Sequence, residues 1–261
     1  MNKFFHPIST SEHKWISIVY LLLRLSVILV LLEQLRNRNF ENVFLCLLTF
    51  LLFLVPSFIE RRIHIDIPDT LEIIMLLFIF SAEILGEINS YYLLFPYWDT
   101  LLHTLNGFLA AAIGFSLIDI LNKNDRFAIS LSPIFVALVA FCFSMTIGVI
   151  WEFFEFGMDN FLGYDMQKDA YITSFQSILL NPIANNVPVK VNISNVTING
   201  ESWKAYVDLG LIDTMSDLIV NFIGATVFSI FGYFYIKGRG QGHFLKRFIL
   251  SSHPSSVTKE K

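Results

Sequence analysis

Six long apolar segments constrain the fold of this chain more than any other feature of its sequence. A helix that crosses the hydrocarbon core of a bilayer needs about 20 mainly apolar residues. Hydrophobic residues make up 54% of the 261 residues and charged residues only 15%, whereas soluble domains carry about 25% charged residues. We therefore expect a single all-α integral membrane domain over residues 1–261, with about six transmembrane helices. The predicted spans are residues 15–32, 42–59, 70–88, 100–121, 132–156 and 214–236.

The distribution of Lys and Arg predicts the orientation of these helices across the membrane. If the N-terminus is cytoplasmic, the cytoplasmic segments hold 12 Lys and Arg residues and the outer segments hold 5. Cytoplasmic loops are normally enriched in these residues, so we expect a multi-pass protein of the cell (inner) membrane with both termini cytoplasmic. The basic residues 237–261 then form a cytoplasmic tail, which either rests on anionic lipids or acts only as a determinant of orientation.

Residues 157–212 form a long loop that this orientation places outside the cell membrane. The stretch "VPVKVNI" alternates in polarity, and "VTINGESW" places Asn199-Gly200 between two short β-prone stretches. Because Asn-Gly favours a tight turn, the loop is expected to hold a small hairpin. The stretch "YITSFQSILL" (171–180) is interpreted as a short interfacial helix. The glycosylation sequons at Asn192 and Asn195 receive no weight, since such triplets are common by chance.

Eight ionisable residues gather in the outer part of the predicted bundle. An acidic side chain near mid-bilayer costs about 2.5–3.5 kcal/mol. Several such groups facing lipid would cost on the order of a whole domain's stability, about 5–15 kcal/mol. These groups must therefore share protons, water, cations or a metal. They are Glu83, Glu87, Asp99, His103, Glu152, Glu155, Asp213 and Asp217.

On three of the spans, these residues lie on one helix face, and each of these faces continues into small residues. Small residues let helix backbones approach closely in membranes. The three faces are therefore expected to look inward at one another. They comprise Gly148, Glu152, Glu155 and Asp159; Asp213, Asp217, Asn221 and Gly224; and Asp99, His103, Asn106, Ala110 and Gly114.

Structural roles compete with functional ones for several of these residues. Asp99 and Asp213 each stand where a predicted helix begins, and Asp caps helices and suits the positive end of their dipole. Capping does not account for His103 and Asp217, which lie one turn deeper. His103 is therefore either an interior hydrogen-bonding group or a ligand or proton carrier.

Four stretches in the second half of the chain carry a family resemblance: "WDTLLHTLNGF" (98–108), "WEFFEF" (151–156), "GYDMQ" (163–167) and "GLIDTMSDLIVNFIGA" (210–225). Together they resemble the YjdF-like proteins, an uncharacterised bacterial inner-membrane family. The resemblance implies a polytopic membrane protein and no particular activity. It suggests an acidic residue in many relatives at the position where this chain has Asn221. The shared positions are Asp99, His103, Glu152, Glu155, Asp165, Gln167, Asp213 and Asp217.

A looser likeness to the VanZ-type proteins, which are linked to glycopeptide resistance, rests on two short helix patterns. One is the Asp-x-x-x-His pattern at residues 99–103, and the other is the Asp-x-x-x-Asn-x-x-Gly pattern at residues 217–224.

The residues alone leave three classes of function open, of which a metal-dependent membrane enzyme is narrowly preferred. Carboxylates with one imidazole suit a divalent cation such as Mg, Mn or Zn. The reachable substrates would be lipid head groups or envelope precursors at the outer leaflet. The candidate metal ligands are His103, Asp99, Glu152, Glu155, Asp213 and Asp217, and the further candidates are Glu83, Asn221, Asp165 and Gln167.

The alternatives are a proton- or ion-coupled transporter and a non-enzymatic envelope or antibiotic-resistance protein. Ionisable side chains within spans mark ion routes, but the predicted acidic cluster is one-sided, which ranks transport second. In the third class, the cluster only holds the bundle together. A net charge of −4, without a basic stripe interleaved with aromatic residues, argues against nucleic acid as a partner.

Overall fold

The computed structural model of this chain is mostly helical. It describes residues 14–63, 65–122, 131–183, 186–238, 240 and 242–252. Residues 1–13 of the predicted leader, most of the connection after residue 122 and the end of the tail lie outside these ranges. Among the described residues, five helices are long and apolar enough to cross a membrane, so five of the six predicted spans are confirmed as helices of this kind. They are Trp15–Arg36, Phe40–Glu60, Trp98–Asn122, Pro133–Leu162 and Leu211–Lys237.

A tight turn joins the first two of these helices, α1 (Lys14–Arg36) and α2 (Phe40–Leu52). Arg38 in this turn has a φ of 55°, in the left-handed region. Asn39 caps α2, because its side-chain oxygen accepts a hydrogen bond from the Asn42 amide at 3.2 Å. Helix α3 (Val55–Ile63) continues the second span.

The third predicted span, residues 70–88, is a helix in two parts. Helix α4 (Asp69–Phe80) has only 12 residues and passes into a π-helical stretch, Ser81–Ile88. It is not among the five helices above. Its share of acidic residues explains why, since residues 69–88 include Asp69, Glu72, Glu83 and Glu87.

Three long helices form the second half of the chain. A short helix α5 (Tyr91–Leu94) leads into α6 (Trp98–Asn122), which is followed by α7 (Pro133–Gly157) and α8 (Leu211–Lys237). Helix α7 begins at Pro133, and Pro is favoured in the first turn because the missing N–H would have no helical partner there. A π-helical turn, Met158–Leu162, extends α7.

The chain divides into two compact units: Met1–Gly148 with Val220–Lys261, and Val149–Ile219. The core of the first unit includes residues that come after α8. The Leu245, Phe248, Ile249 and Leu250 side chains are buried, and strand β8 (Ser251–Ser252) pairs with β1 (Ile65–Asp66). This part of the predicted tail therefore belongs to a folded core.

The second unit carries three antiparallel strand pairs between its two helix ends. In the pair β5–β6 the turn residues Asn199 and Gly200 have φ values of 52° and 86°, as a type I′ turn requires. The interfacial helix expected over 171–180 was wrong, because this stretch forms two strands, in keeping with its Tyr, Ile, Thr and Phe content. The strands are β2 (Ala170–Ile172), β3 (Ser174–Ser177), β4 (Val189–Asn192), β5 (Val196–Ile198), β6 (Glu201–Trp203) and β7 (Tyr206–Asp208), and the pairs are β2–β7, β3–β4 and β5–β6.

Candidate functional site

Four carboxylates of the second unit lie close together where α7 ends and α8 begins. Glu152 and Glu155 stand on α7, and Asp213 and Asp217 stand on α8. Glu152, Glu155 and Asp217 each offer one oxygen atom, and these three oxygens lie within 4.8 Å of one another. Asp213 and Asp217 also offer oxygens within 4.8 Å of each other. Glu152, Glu155 and Asp217 are only 4%, 7% and 4% exposed, so bulk water screens them little.

Three carboxylates so close together repel one another if all of them are ionised. Two unit charges about 5 Å apart interact by roughly 3 kcal/mol at an effective dielectric constant of about 20. Carboxylates that share a site avoid this cost by retaining a proton or by binding a cation. The cluster formed by Glu152, Glu155 and Asp217 therefore suits a positive charge held between its members.

Trp151 orients one of these carboxylates. Its indole Nε1 donates a hydrogen bond to Glu155 Oε1 at 2.9 Å, one helical turn along α7. Trp151 itself is 41% exposed. The indole thus fixes the orientation of a buried acid that would otherwise have more rotamers to choose from.

Asp159 holds the segment of residues 163–168 against the end of α7. One of its oxygens accepts a hydrogen bond from the Met166 amide at 2.6 Å, and the other accepts one from the Gln167 amide at 2.8 Å. Hydrogen bonds to a charged acceptor are stronger than neutral ones. One carboxylate thereby satisfies two successive backbone amides of a segment without regular secondary structure.

The same segment is joined to the first turn of α8. The Lys168 amide donates to Asp213 Oδ2 at 2.7 Å, and Gln167 Nε2 donates to Thr214 Oγ1 at 2.6 Å. Asp165 differs from these residues, because its side chain is exposed and its backbone carbonyl accepts a hydrogen bond from Lys168 Nζ. Gln167 is therefore a structural anchor of the segment, and Asp165 lies at its surface.

Asp208 performs the capping role that was considered for Asp213. Its Oδ2 accepts a hydrogen bond from the Ile212 amide at 2.8 Å, one of the amides that α8 leaves without a helical partner. Asp208 is 7% exposed and stands at the end of β7. Its carboxylate lets Asp213 bind the neighbouring segment instead.

In the first unit, Asp99 and His103 form a pair one turn apart on α6. Asp99 Oδ1 lies 3.5 Å from His103 Nε2. His103 is 7% exposed, while Asp99 is partly accessible. A carboxylate beside an imidazole orients the ring, as is usual for histidines that bind metals or carry protons.

One turn further along α6, the helices of the first unit come into close contact around Asn221, which is 1% exposed. A side chain at Gly107 would overlap the Asn221 backbone carbonyl, and one at Gly148 would overlap the Asn221 amide group. Asn106 Nδ2 donates to Asn221 Oδ1 at 3.3 Å, and Ser144 Oγ donates to the Gly107 carbonyl at 2.7 Å. Asn221 is thus a packing residue where α6, α7 and α8 meet.

Glu83 lies in the π-helical stretch of the first unit and is half-buried, whereas Glu87 is exposed. Such stretches are rare and are frequent at functional sites. Glu72 precedes Glu83 by eleven residues and lies in α4. It is 2% exposed. Its carboxylate accepts a hydrogen bond from the Tyr20 hydroxyl at 2.8 Å, and the Arg24 guanidinium stacks on the Tyr20 ring.

Sequence reasoning did not single out several of these residues for the roles they have. The sequence did contain a pattern that points to Asp159, because this residue continues the helix face of Glu152 and Glu155. Ser144 carried a weaker signal, since it lies one turn before Gly148 on that face. Thr214 carried none, because its partner Gln167 stands 47 residues earlier, in a segment without regular secondary structure.

A family model described as "Predicted membrane protein (DUF2238)" matches residues 18–238. The chain belongs to this family. Like other membrane proteins, this DUF2238 chain has several helices long and apolar enough to span a bilayer. The YjdF-like resemblance is consistent with this family membership.

An uncharacterised protein from Thermotoga maritima is 29% identical to this DUF2238 chain over 114 residues. The match covers 43% of this chain, which spans only 57% of the relative's length. No solved structure matches the chain.

Proposed function

We propose that this chain binds a divalent cation through Glu152, Glu155, Asp217 and His103, with Asp99 and Asp213 beside them. The observation that carries the proposal is the approach of three buried carboxylate oxygens to within 4.8 Å of one another. Carboxylate oxygens suit Mg and Mn, and the combination of carboxylates with an imidazole also suits Zn. A cation at this point would offset the mutual repulsion of the three acids.

The inclusion of His103 rests on helix geometry. In the first unit, Gly107 and Gly148 both pack on Asn221. Residues four apart on an α-helix lie on one face, about 5.4 Å apart along the axis. The sequence pattern places one further polar residue on each of these helix faces, one turn beyond the contacts around Asn221. Those next residues are His103 on α6, Glu152 on α7 and Asp217 on α8.

We also infer six spans, with residues 69–88 as the third. The pairing of β1 with β8 supports a common membrane face for the connection before α4 and the segment after α8. The Leu250 amide donates to Ser116 Oγ near the end of α6. This hydrogen bond supports placing the end of α6 on that same membrane face. The start of α6 is tied to residues 69–88, because Trp98 Nε1 donates to the Ser81 carbonyl. Residues 69–88 therefore run opposite to α6.

This topology and the Lys and Arg bias support cytoplasmic termini and an outward-facing cation centre. A cation centre in the outer part of the membrane would act on lipid head groups or envelope precursors as a metal-dependent enzyme. A bound divalent cation polarises phosphoryl or carbonyl oxygens and lowers the pKa of bound water. The chain's own contribution is to orient the ligands, with Trp151 holding Glu155 and Asp99 holding the His103 ring.

Cation binding by the full-length chain tests the proposal. The chain is reconstituted in lipid nanodiscs, stripped with a chelator and titrated calorimetrically with Mn²⁺, Zn²⁺ and Mg²⁺ separately. We expect saturable binding of at least one of them. Glu152→Gln and His103→Ala should each weaken that binding about 10–100-fold, the usual effect of damaging a metal site.

Asp165→Asn is the matched control, because it removes one acidic charge at an exposed position and should leave the affinity unchanged. Size-exclusion chromatography and circular dichroism confirm that each variant is folded. If the wild-type chain binds none of the three cations more tightly than the folded double variant of Glu152 and His103, the proposal is overturned.

A second candidate function, proton-coupled transport, is favoured by Glu72. This buried acid lies towards the start of the helical segment whose other end carries Glu83, so residues 69–88 offer ionisable groups at both ends, as a proton route needs. Proteoliposomes containing a pH-sensitive dye would reveal proton entry under an imposed potential. Entry that is lost in both Glu72→Gln and Glu83→Gln would support transport, and entry that equals that of empty liposomes would exclude it.

A further inference from the structure

An exposed apolar tip stands out on the β3–β4 ribbon of the second unit. We define the apolar tip as residues 178–183, which follow the last residue of β3. Leu179 is 92% exposed and Ile183 is 76% exposed, and Ile178 and Leu180 are about half exposed. Four neighbouring aliphatic side chains in contact with water are unusual on a soluble surface and mark an interaction site.

The sequence on either side of the apolar tip lacks charge. Residues 170–189 include no Asp, Glu, Lys or Arg, although charged residues are the usual means of keeping such a surface soluble. The first cation on the ribbon is Lys190, which pairs across the ladder with Gln176, near its end. An uncharged apolar tip with a cation behind it matches the profile of a bilayer, whose apolar core lies beneath anionic head groups.

Hydrogen bonds in and beside the apolar tip satisfy some of its backbone groups. Asn181, which is 9% exposed, is the centre of this network: its Oδ1 accepts from the Ile183 amide at 2.9 Å, and its Nδ2 donates to the Val187 carbonyl at 2.8 Å. The Leu180 amide donates to Ser177 Oγ at 3.1 Å. A loop can enter an apolar phase only when its polar backbone groups have internal partners, and this loop meets that condition at these positions.

A short stretch of chain links the apolar tip to the start of α8. The second unit includes the ends of α7 and α8, which carry exposed apolar residues of their own, such as Phe161 and Leu211. Ala170 in β2 pairs with Asp208, three residues before α8 begins. The nine residues from Ala170 to Ile178 are separated by eight steps along the chain, which span at most about 26 Å in extended form.

We propose that the apolar tip inserts into the lipid leaflet on the side where α7 ends and α8 begins, and anchors the second unit to the membrane surface. This anchor does not depend on cation binding. The occupant of the apolar surface is lipid, since the chain is a membrane protein and the tip combines lipid-like polarity with internally satisfied backbone groups. A second copy of the chain and a separate protein are the competing occupants.

Spin labelling distinguishes these occupants. Cys46→Ala and Cys142→Ser remove the native cysteines, and Leu179→Cys carries a nitroxide in nanodiscs of phosphatidylethanolamine and phosphatidylglycerol. We expect the label at 179 to collide more often with oxygen than with a water-soluble nickel chelate. Glu201→Cys is the matched control, because it stands beside the exposed Asn199-Gly200 turn and carries a charge, so its label should show the reverse order.

A label at 179 that is as accessible to the nickel chelate as the label at 201 would overturn the proposal. Dipolar broadening between labels at 179, with low access for both reagents, would overturn it in favour of a second copy. Low access without broadening would indicate a protein surface as occupant and would also overturn it.

A measurement in the native cysteine background guards against misfolding of the labelled variants. Leu179→Trp is compared with Glu201→Trp in liposomes that contain brominated lipids, and the fluorescence of the wild-type chain is subtracted from both. Lipid insertion predicts stronger quenching and a blue-shifted emission for the tryptophan at 179. Equal quenching at the two positions contradicts insertion.

Discussion

Gly107 of α6 lies directly against the backbone carbonyl of Asn221 on α8, and a side chain at position 107 would overlap that carbonyl. On the other side, the Gly107 carbonyl accepts a hydrogen bond from Ser144 of α7 at 2.7 Å. Close approach of helix backbones at a small residue is a main source of helix association in membranes. Within the first unit, one glycine of α6 therefore contacts both α7 and α8.

Replacing this glycine should destabilise the first unit. In Gly107→Val the added methyl groups overlap the Asn221 backbone, which can yield only by separating α6 from α8. Overpacking of this kind costs about 1–3 kcal/mol, so the midpoint of thermal unfolding in nanodiscs should fall. Gly157→Ala is the control, because the nearest atom to a side chain there is at 3.9 Å. A Gly107→Val midpoint equal to that of Gly157→Ala would show that the helices do not meet at this glycine.

The long helices could be predicted from the sequence, because apolar runs reveal them. The small residues on which three of these helices pack could also be predicted, because they recur at helical spacing. The apolar runs alone located five helices long enough to cross a membrane. The four-residue spacing of Gly148 from Glu152 and of Asp217 from Asn221 indicated faces that turn inward, and Gly148 does pack on Asn221. Where helix periodicity is interrupted, as in the π-helical stretch Ser81–Ile88, the pattern gave no warning.

Contacts between distant parts of the chain could not be predicted. Nothing local in "HFLKRFIL" indicates that Leu250 binds Ser116, which lies 134 residues earlier. The basic residues of this stretch suggested a surface segment, whereas Leu245, Phe248, Ile249 and Leu250 are buried. In the candidate site, the "GYDMQ" pattern likewise does not reveal that the Gln167 side chain binds Thr214 while the Asp165 side chain is exposed.

The segment after α8 should contribute to stability through Phe248. This side chain is 7% exposed and packs edge-on against Phe108, with ring centroids 5.3 Å apart. Removing a buried phenylalanine side chain typically costs about 3–5 kcal/mol, so Phe248→Ala should lower the free energy of unfolding by an amount of that order. Phe244→Ala is the comparison, because Phe244 is 57% exposed and should lose much less. Equal losses in urea titrations of the two variants would indicate that Phe248 is not part of a core.

Asp159 should control the opening of residues 163–168. In Asp159→Ala the Met166 and Gln167 amides lose an acceptor that lies 2.6 and 2.8 Å away. A hydrogen bond to a charged group contributes about 1.5–3 kcal/mol, so hydrogen exchange at these two amides should become at least about tenfold faster. Asp165→Ala removes an exposed carboxylate from the same segment and should leave both rates unchanged. Mass spectrometry of exchanged peptides covering residues 163–168 would report the difference, and matching rates in the two variants would contradict the anchoring role of Asp159.

The pairing of β1 with β8 predicts that Arg62 and Ser251 lie on the same face of the membrane. Ser251 pairs with Asp66, and α3, which carries the exposed Arg62, ends just before β1. With cytoplasmic termini, Arg62→Cys and Ser251→Cys should react with a membrane-impermeant maleimide only after the cells are permeabilised. Glu201→Cys, in the strand that follows the Asn199-Gly200 turn, should react in intact cells. If Arg62→Cys and Ser251→Cys report opposite faces, the strand pair does not form in the membrane; if all three react on one face, the number of spans between Ser251 and Glu201 is even and the inferred topology is wrong.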